Sequence, residues 1–274
     1  MSLDSQRSFG NSIVGLPQVG ADVNVYDIHA TARLKVGTRF VRSDGNTFVY
    51  GYSGVGTAKG VFVAPTYASS GLVVSANNVI AVASAVAVAG DAVAPGDAGS
   101  RYIEITLAAV TANQYAGGYI AINGGSGAGF VYRIKGNTAT GNPASGNIRI
   151  ELREPLVVRL TINTDIAITP SPWNDVVIAD TSTNTIVSGV SMNTTTTTKP
   201  YGWFQTTGTA CILQQGAIAI GSGIQLSASV NGAATLWGTG GSTAPLLQGM
   251  QCLGRCVTTG SDTTYGLFQI ALGL

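Results

Sequence analysis

Apolar and polar residues alternate most clearly in the middle of the chain. Residues 148–153 alternate strictly, and residues 102–107 and 130–135 show the same period of two. A period of two sends successive side chains to opposite faces of a β-strand, so one face meets a core and the other meets solvent or a neighbour. The apolar positions of the two latter segments are Ile103, Ile105 and Leu107, and Phe130, Tyr132 and Ile134. A fourth strand is predicted at 158–162, with apolar positions Val158, Leu160 and Ile162.

A β-hairpin is predicted nearer the start of the chain. Residues 38–43 and 46–50 each suit a strand, and they flank Asp44-Gly45, a dipeptide favoured in two-residue hairpin turns. A two-residue turn at this point sets the predicted cross-strand pairs, which are Val41 with Phe48 and Arg39 with Tyr50.

Short segments bounded by turn-forming residues fill most of the remaining chain. Residues 72–94 alternate Val and Ile with small residues, and the β-branched side chains favour strands over a helix there. Further short strands are predicted at 203–205, 210–213, 217–220, 224–229 and 267–272. Many short strands at near-regular spacing are typical of sandwiches and barrels. The predicted fold class is therefore all-β, with antiparallel sandwich or barrel units and an extended N-terminal arm.

The arm is predicted at residues 1–34 and the β region at residues 35–274. The arm lacks clear periodicity and carries scattered turn formers, so we expect it to become ordered against a partner. A floppy terminus is the alternative. The threonine tract at 194–198 suits either a connector between subdomains or an exposed edge strand. A further division of the β region into two units is considered, one formed by 35–100 with 200–274 and the other by 101–199.

Charged residues are scarce, which narrows the possible partners. Only 10% of residues are charged, against about 25% in typical globular proteins, and glycine accounts for 37 of 274 residues. The net charge of +1 gives no electrostatic reason to expect nucleic acid or an anionic membrane as a partner. The apolar run at 79–94 carries Asp91 and is too short for a membrane span, and residues 1–20 lack the apolar core of a signal peptide. Few charges leave little repulsion between copies, so we expect a homo-oligomer.

Residues that could support catalysis are not grouped in the sequence. His29 is the only histidine, and it falls within the predicted arm, away from any nucleophile that it could activate. The carboxylates considered for a glycoside hydrolase pair are Glu104, Glu151 and Glu154. Because Glu151 alternates with Arg149 and Arg153, a cross-strand ion-pair ladder is the favoured interpretation. We therefore expect no enzymatic activity, no cofactor and no metal site.

The chain has three cysteines, an odd number that does not form a disulfide framework. Cys211, Cys252 and Cys256 are expected to be small buried hydrophobic residues. A disulfide between Cys211 and one of the other two is the alternative.

Three short stretches of sequence, called patches below, follow one another along the chain. The first runs from residues 34–40 into the Asp44-Gly45 hairpin, which ends in Phe48-Val49-Tyr50. The second joins residues 113–119 to 127–134, and the third joins residues 201–208 to 216–221. In this order the patches resemble the capsid decoration, or cement, proteins and other virion structural proteins of tailed bacteriophages.

That resemblance implies a structural virion protein located on the capsid exterior, with the major capsid protein as its partner. Such a protein bridges neighbouring capsomers and stabilises the lattice through many repeated weak contacts. A homotrimer is expected at threefold lattice positions, and a dimer across twofold positions is the alternative. The arm is expected to contact the capsid through Arg7, Phe9 and Ile13.

Two other functions are considered. A carbohydrate-binding module of a phage fibre or adhesin would stack sugar rings on Trp203 and Trp237. The major capsid protein itself is disfavoured, because the sequence shows no long helical stretch.

Overall fold

The computed structural model of this chain describes residues 12–14, 23–66, 93–142, 144, 146–181, 186–238 and 251–272. Within these residues all named elements of secondary structure are β-strands, and every pair of neighbouring strands is antiparallel. The predicted all-β fold class is therefore confirmed for this part of the chain. The strands predicted at 72–94 fall almost entirely outside the described residues.

The chain forms two compact units. Unit 1 consists of Met1–Ser69 together with Pro172–Leu274, and unit 2 is the intervening segment Ser70–Ser171. The units thus divide after Ser69 and Ser171, whereas the division considered from the sequence falls after residues 100 and 199.

Sixteen strands are assigned in the described residues. Unit 2 contains β5 (Tyr102–Thr106), β6 (Tyr119–Gly124), β7 (Val131–Asn137), β8 (Asn147–Leu152) and β9 (Asp165–Thr169). Unit 1 contains β1 (Ser12–Val14), β2 (Arg39–Val41), β3 (Thr47–Tyr52), β4 (Phe62–Pro65), β10 (Val176–Ile178), β11 (Gly189–Ser191), β12 (Tyr201–Leu213), β13 (Gly223–Leu226), β14 (Ala234–Leu236), β15 (Gly254–Thr258) and β16 (Tyr265–Ala271).

The long strand β12 organises the sheet of unit 1. Its first residues pair with β3, and its residues from Thr207 to Leu213 pair with β16. A register shift between Gln205 and Thr207 separates the two halves, and such a bulge bends a strand locally. The sheet runs β1-β2-β3-β12-β16-β15-β13-β14, while β11 pairs with both β12 and β4, and β4 also pairs with β10.

Three apolar clusters form the core of unit 1. The first is aromatic, and its Tyr50 and Trp203 ring centroids lie 5.3 Å apart. The second packs Trp173 against Phe204, with ring centroids 6.1 Å apart. The third surrounds Phe268 and draws on strands from both halves of the sheet. Its buried members include Phe62, Val190, Ala210, Ile212, Ile224, Cys256 and Ile270.

Unit 2 is a five-stranded sheet in the order β5-β8-β7-β6-β9. Its inward face is rich in isoleucine, and the alternation predicted for β5 and β8 is confirmed by complete burial of Ile103, Ile105, Ile148, Ile150 and Leu152. In β7, Tyr132 and Ile134 are buried as expected. The β-branched side chains of this face pack well on a pleated surface, which explains why a sequence so poor in aromatic residues still forms a dense core.

The predicted hairpin forms, but its predicted register is wrong by one residue. Val41 pairs with Thr47, and Phe40 pairs with Phe48. Phe40 and Phe48 therefore lie side by side on the buried face, with ring centroids 6.1 Å apart.

The turn of this hairpin explains the shift, because it contains three residues and not two. The Arg42 N–H donates to the Asn46 carbonyl at 2.9 Å, and the Gly45 N–H donates to the Arg42 carbonyl at 2.9 Å. Gly45 has φ of +84°, which places it in the left-handed region. A type I turn closed by a glycine in this conformation is the common three-residue hairpin loop.

Two predicted strands are not formed. Residues 158–162 are irregular, and Ile162 is 54% exposed although Leu160 is buried. The fifth strand of unit 2 is instead β9, which pairs with β6. Residues 217–220 are also irregular, with Ile220 71% exposed. Phe130, expected in the core, precedes β7 in a turn and is 38% exposed.

Part of the segment assigned to the arm packs on unit 1. Val25 is 4% exposed within the aromatic cluster. His29 pairs with Tyr201 through two backbone hydrogen bonds of 2.8 and 3.2 Å. The backbone of β1 pairs with β2, with Ile13 opposite Phe40.

The threonine tract at 194–198 is a loop within unit 1. Thr196 and Lys199 form an isolated bridge, and the Thr195 side chain accepts a hydrogen bond of 2.8 Å from the Thr57 N–H. Neither the connector nor the edge strand considered from the sequence describes this segment.

Candidate functional site

The residues predicted to contact a partner lie in the arm. Arg7 and Phe9 fall outside the described residues. Ile13 belongs to β1, for which the backbone alone is described.

A pocket of about 530 Å³ opens on one face of the unit 1 sheet. It lies where β3, β11, β12 and β16 come together, and the loop that carries Lys59 and Gly60 contributes to its wall. The lining residues are Tyr26, Arg42, Asn46, Phe48, Lys59, Gly60, Val190, Ser191, Met192, Gln205, Thr209, Ala210, Cys211, Tyr265 and Leu267.

The bulge of β12 shapes the floor of this pocket. The Gln205 side chain spans the bulge, and its amide donates to the carbonyls of Thr207 and Thr209, each at 3.0 Å. The Thr209 N–H donates to the Asn46 side-chain carbonyl at 3.0 Å. Gln205 and Asn46 are both buried, so these bonds hold the floor in one geometry.

The pocket lining carries positive and no negative side chains. Arg42 donates to the Asp44 carboxylate through Nε at 2.8 Å and also through Nη2. This hydrogen bond lowers the pKa of Asp44 and raises the pKa of Arg42. The Arg42 guanidinium also lies 5.5 Å from the centroid of the Phe48 ring. Lys59 is exposed, and among the described residues it forms no ion pair.

Cys211 lies in the wall of the pocket as an exposed free thiol. Cys252 is also exposed and free, whereas Cys256 is buried and burial raises the pKa of its thiol. The prediction of three buried cysteines is therefore wrong for Cys211 and Cys252. The alternation of β12 explains the first case, because Ala210 and Ile212 occupy the buried face and Cys211 points to the opposite one.

The outward face of unit 2 combines an apolar strip with paired charges. Ala121 pairs with Val131 on one side and with Ala167 on the other. Val131 is 61% exposed, and Tyr119, two residues before Ala121 on the same face, is 45% exposed. We define Tyr119, Ala121, Val131 and Ala167 as the apolar strip. Exposed apolar groups that are contiguous on a surface mark interaction sites more often than isolated ones do.

The carboxylates considered for catalysis belong to this same face and its edge. Glu104, whose side chain is 1% exposed, accepts from Arg149 at 2.5 Å, and Glu151 accepts from Lys135 at 2.5 Å. Both pairs join neighbouring strands, as the cross-strand ladder expected from the sequence requires: Glu151 pairs with Lys135 of β7, and Arg149 pairs with Glu104 of β5. Glu154 accepts a backbone hydrogen bond of 3.2 Å from Arg133 N–H.

His29, which was considered for catalysis, and the two tryptophans, which were considered for sugar binding, differ in their burial. Burial, reinforced by the positive charge of Arg33, lowers the pKa of His29, although Asp27 opposes this shift. Trp203 is 3% exposed, so its ring offers no face to a sugar. Trp237 is 55% exposed and packs beside Gly223, where a side chain would meet its Cβ and Cε3 atoms at 3.3 Å.

No protein-family model, no curated protein and no solved structure matches this chain. Among the described residues, no group of three or more His, Cys, Asp or Glu side chains is placed to hold a metal ion. In the same part of the chain, no helix has the length and apolarity needed to cross a membrane.

The pocket could not be predicted from the sequence, because its residues come from six separate stretches of the chain with no motif in common. The only indication in the sequence was that Cys211 lies between the apolar residues Ala210 and Ile212, so that strand alternation places it on the face opposite to theirs. The apolar strip was equally hidden, since Tyr119 and Ala121 look like ordinary strand residues until the pairing with β7 and β9 is known.

Proposed function

We propose that this chain is a structural virion protein that binds the outside of a phage capsid. It contacts the major capsid protein, bridges neighbouring capsomers and stabilises the lattice, and it has no enzymatic activity. A homotrimer is the proposed assembly, with a dimer as the alternative. The ordered sequence patches at residues 34–50, 113–134 and 201–221 support the class of protein.

The observation that carries the proposal is the apolar strip of unit 2. Tyr119 and Val131 expose large apolar side chains on a regular antiparallel sheet, where neighbouring backbones are held in place by hydrogen bonds. A rigid surface loses little conformational entropy on binding, and repetition by symmetry multiplies a weak contact into high avidity.

Charge pairing beside the strip supports the same function. On this face Lys135 neutralises the charge of Glu151, and Arg149 neutralises the charge of Glu104. The exposed cation beside the strip is then Arg133, opposite Tyr119, which suits a partner surface that is weakly charged and presents a carboxylate at that point.

Co-sedimentation with undecorated capsids, purified from the virus that supplies this sequence, tests the proposal. We expect the full chain to bind and Val131→Lys to lose most of the binding, because the new ammonium group would be desolvated in the contact. Val55→Lys is the matched control, since Val55 is 69% exposed in a unit 1 loop. Absence of binding by the full chain refutes the function, and equal binding by both variants refutes the role of the strip.

The proposed capsid contact of the arm is tested separately. Deletion of residues 2–22 removes Arg7, Phe9 and Ile13 but keeps Val25, which belongs to the core of unit 1. We expect reduced capsid binding at temperatures well below the thermal transition, which falls because the deletion also removes β1 and its pairing with β2. Undiminished binding would rule out the arm as a capsid-contacting element.

A carbohydrate-binding module is the second candidate function, and the exposure of Trp237 favours it. A ring lying on a glycine is open to a sugar on its free face. A glycan array separates the two functions, since glycan binding that Trp237→Ala abolishes, without capsid binding, would support the module and refute the decoration protein.

A further inference from the structure

We infer that the unit 1 pocket binds a small amphipathic carboxylate, with the apolar chain against the pocket wall and the carboxylate beside Lys59 and Arg42. The site belongs to unit 1, whereas the proposed capsid-contacting strip belongs to unit 2. Either proposal can therefore fail without the other.

The size and lining of the pocket suit an apolar chain. Its volume of about 530 Å³ lies within the range of about 300–1,000 Å³ that is usual for small-molecule sites. Met192, Tyr265 and Leu267, which line the cavity and are not fully buried, offer apolar surface to it, and methylene groups gain free energy when they leave water for such a wall. The fixed hydrogen bonds of Gln205 mean that the floor is formed before a ligand arrives.

The charges of the lining select an anion. Arg42 and Lys59 both line the pocket, and no aspartate or glutamate does. Arg42 is already bound to Asp44, so Lys59, which forms no ion pair among the described residues, supplies the main counter-charge. A cationic ligand of the same shape would meet the like charge of Lys59 at the site, which disfavours its binding.

The chain contains its own reporter of pocket occupancy. Cys211 is an exposed thiol in the pocket wall, whereas Cys252 is an exposed thiol outside the lining. A ligand in the pocket should shield the first thiol and leave the second unchanged. Cys252 thus serves as an internal control for reagent strength and for general effects of an amphiphile.

The experiment measures the rate of iodoacetamide modification at each cysteine by mass spectrometry of the full chain. Octanoate is the probe, and octylamine is the comparison with the same apolar chain and the opposite charge. At about ten times its Kd, octanoate should slow modification of Cys211 by about tenfold, by simple mass action, and leave Cys252 unaffected. Octylamine should leave both rates unchanged.

Lys59→Met removes the charge and keeps most of the length of the side chain, and Lys199→Met is the control at an exposed lysine outside the lining. Isothermal titration calorimetry with octanoate should show at least a tenfold weaker Kd for the first variant and an unchanged Kd for the second. The inference is overturned if octanoate gives no protection, if it protects Cys252 equally, if octylamine protects as well as octanoate, or if both variants bind alike.

Discussion

Glu104 and Arg149 form the most buried ion pair among the described residues. Their side chains are 1% and 16% exposed, and their nearest atoms lie 2.5 Å apart across the β5–β8 pair. Replacing Arg149 with leucine removes the guanidinium partner of a carboxylate that water does not reach. Removing one partner of a buried pair costs about 3–5 kcal/mol, so we expect Arg149→Leu to destabilise unit 2 by about that amount.

The two single variants should differ in cost. Glu104→Leu leaves Arg149, which is partly exposed and can turn its guanidinium toward water, so it should cost less than Arg149→Leu. The double variant, which replaces both charges by leucine, should restore stability to within about 1.5 kcal/mol of the natural chain, because apolar replacement of a whole buried pair is often neutral.

Lys135→Leu is the matched control on the same face. Lys135 is 58% exposed and Glu151 is 31% exposed, so their pair is screened by solvent. Exposed pairs contribute about 0–1 kcal/mol, and we expect the control to stay within that range.

Hydrogen exchange measured by mass spectrometry reports the result on peptides from β5 and β8. A loss of 3 kcal/mol or more corresponds to at least about a hundredfold faster exchange of the most protected amides. If Arg149→Leu accelerates exchange no more than Lys135→Leu does, the assignment of a desolvated, energetically coupled pair is wrong.

Three further predictions concern unit 1. Gly51→Ala should reduce the free energy of unfolding by about 1–3 kcal/mol and so lower the thermal transition, because the new Cβ would lie 2.7 Å from a Phe204 ring carbon in the core. An unchanged transition would contradict this packing. The pKa of His29 is lowered in the folded state, so the folded chain binds fewer protons than the unfolded chain and loses stability as the pH falls below about 6.5. Denaturant midpoints measured at about pH 7.5 and about pH 5 should show this loss, and His29→Gln should reduce it; equal pH dependence in both chains would argue against the assignment. Under native conditions Cys256 should react with iodoacetamide far more slowly than Cys252, since burial both blocks access and raises its pKa; similar rates would contradict its burial.

Alternation predicted the core of unit 2 well because it reflects a local constraint. Every second residue of β5 and β8 must face inward, so Ile103, Ile105, Ile148 and Ile150 could be placed without knowledge of the pairing. The same constraint predicted the all-β class, which needs only many short segments of this type.

Register could not be predicted in the same way, because it depends on the turn. Asp44-Gly45 is compatible with a two-residue turn and with a three-residue turn that ends in a left-handed glycine. The structure has the second, in which Asn46 N–H donates to the Asp44 side chain at 3.0 Å. What favours this choice is the contact of Phe40 with Phe48, which depends on the whole aromatic cluster.

The false strand at 158–162 has a similar cause. That segment and β9 both alternate, so local pattern does not distinguish them. The difference lies in their partners, since β9 finds β6 while Leu160 N–H donates to the Gly96 carbonyl in a loop contact of 2.8 Å. The pocket was beyond prediction for the same reason, because it exists only where separate strands meet.

The most direct test of the proposed function is a cryo-electron microscopy map of intact particles of the phage that the proposal takes as the source of this sequence. We predict density for the chain on the outer capsid surface, at symmetric positions between capsomers, with the apolar strip of unit 2 against the shell. Density for the chain at the tip of a tail fibre, or its absence from the particle, would contradict this assignment.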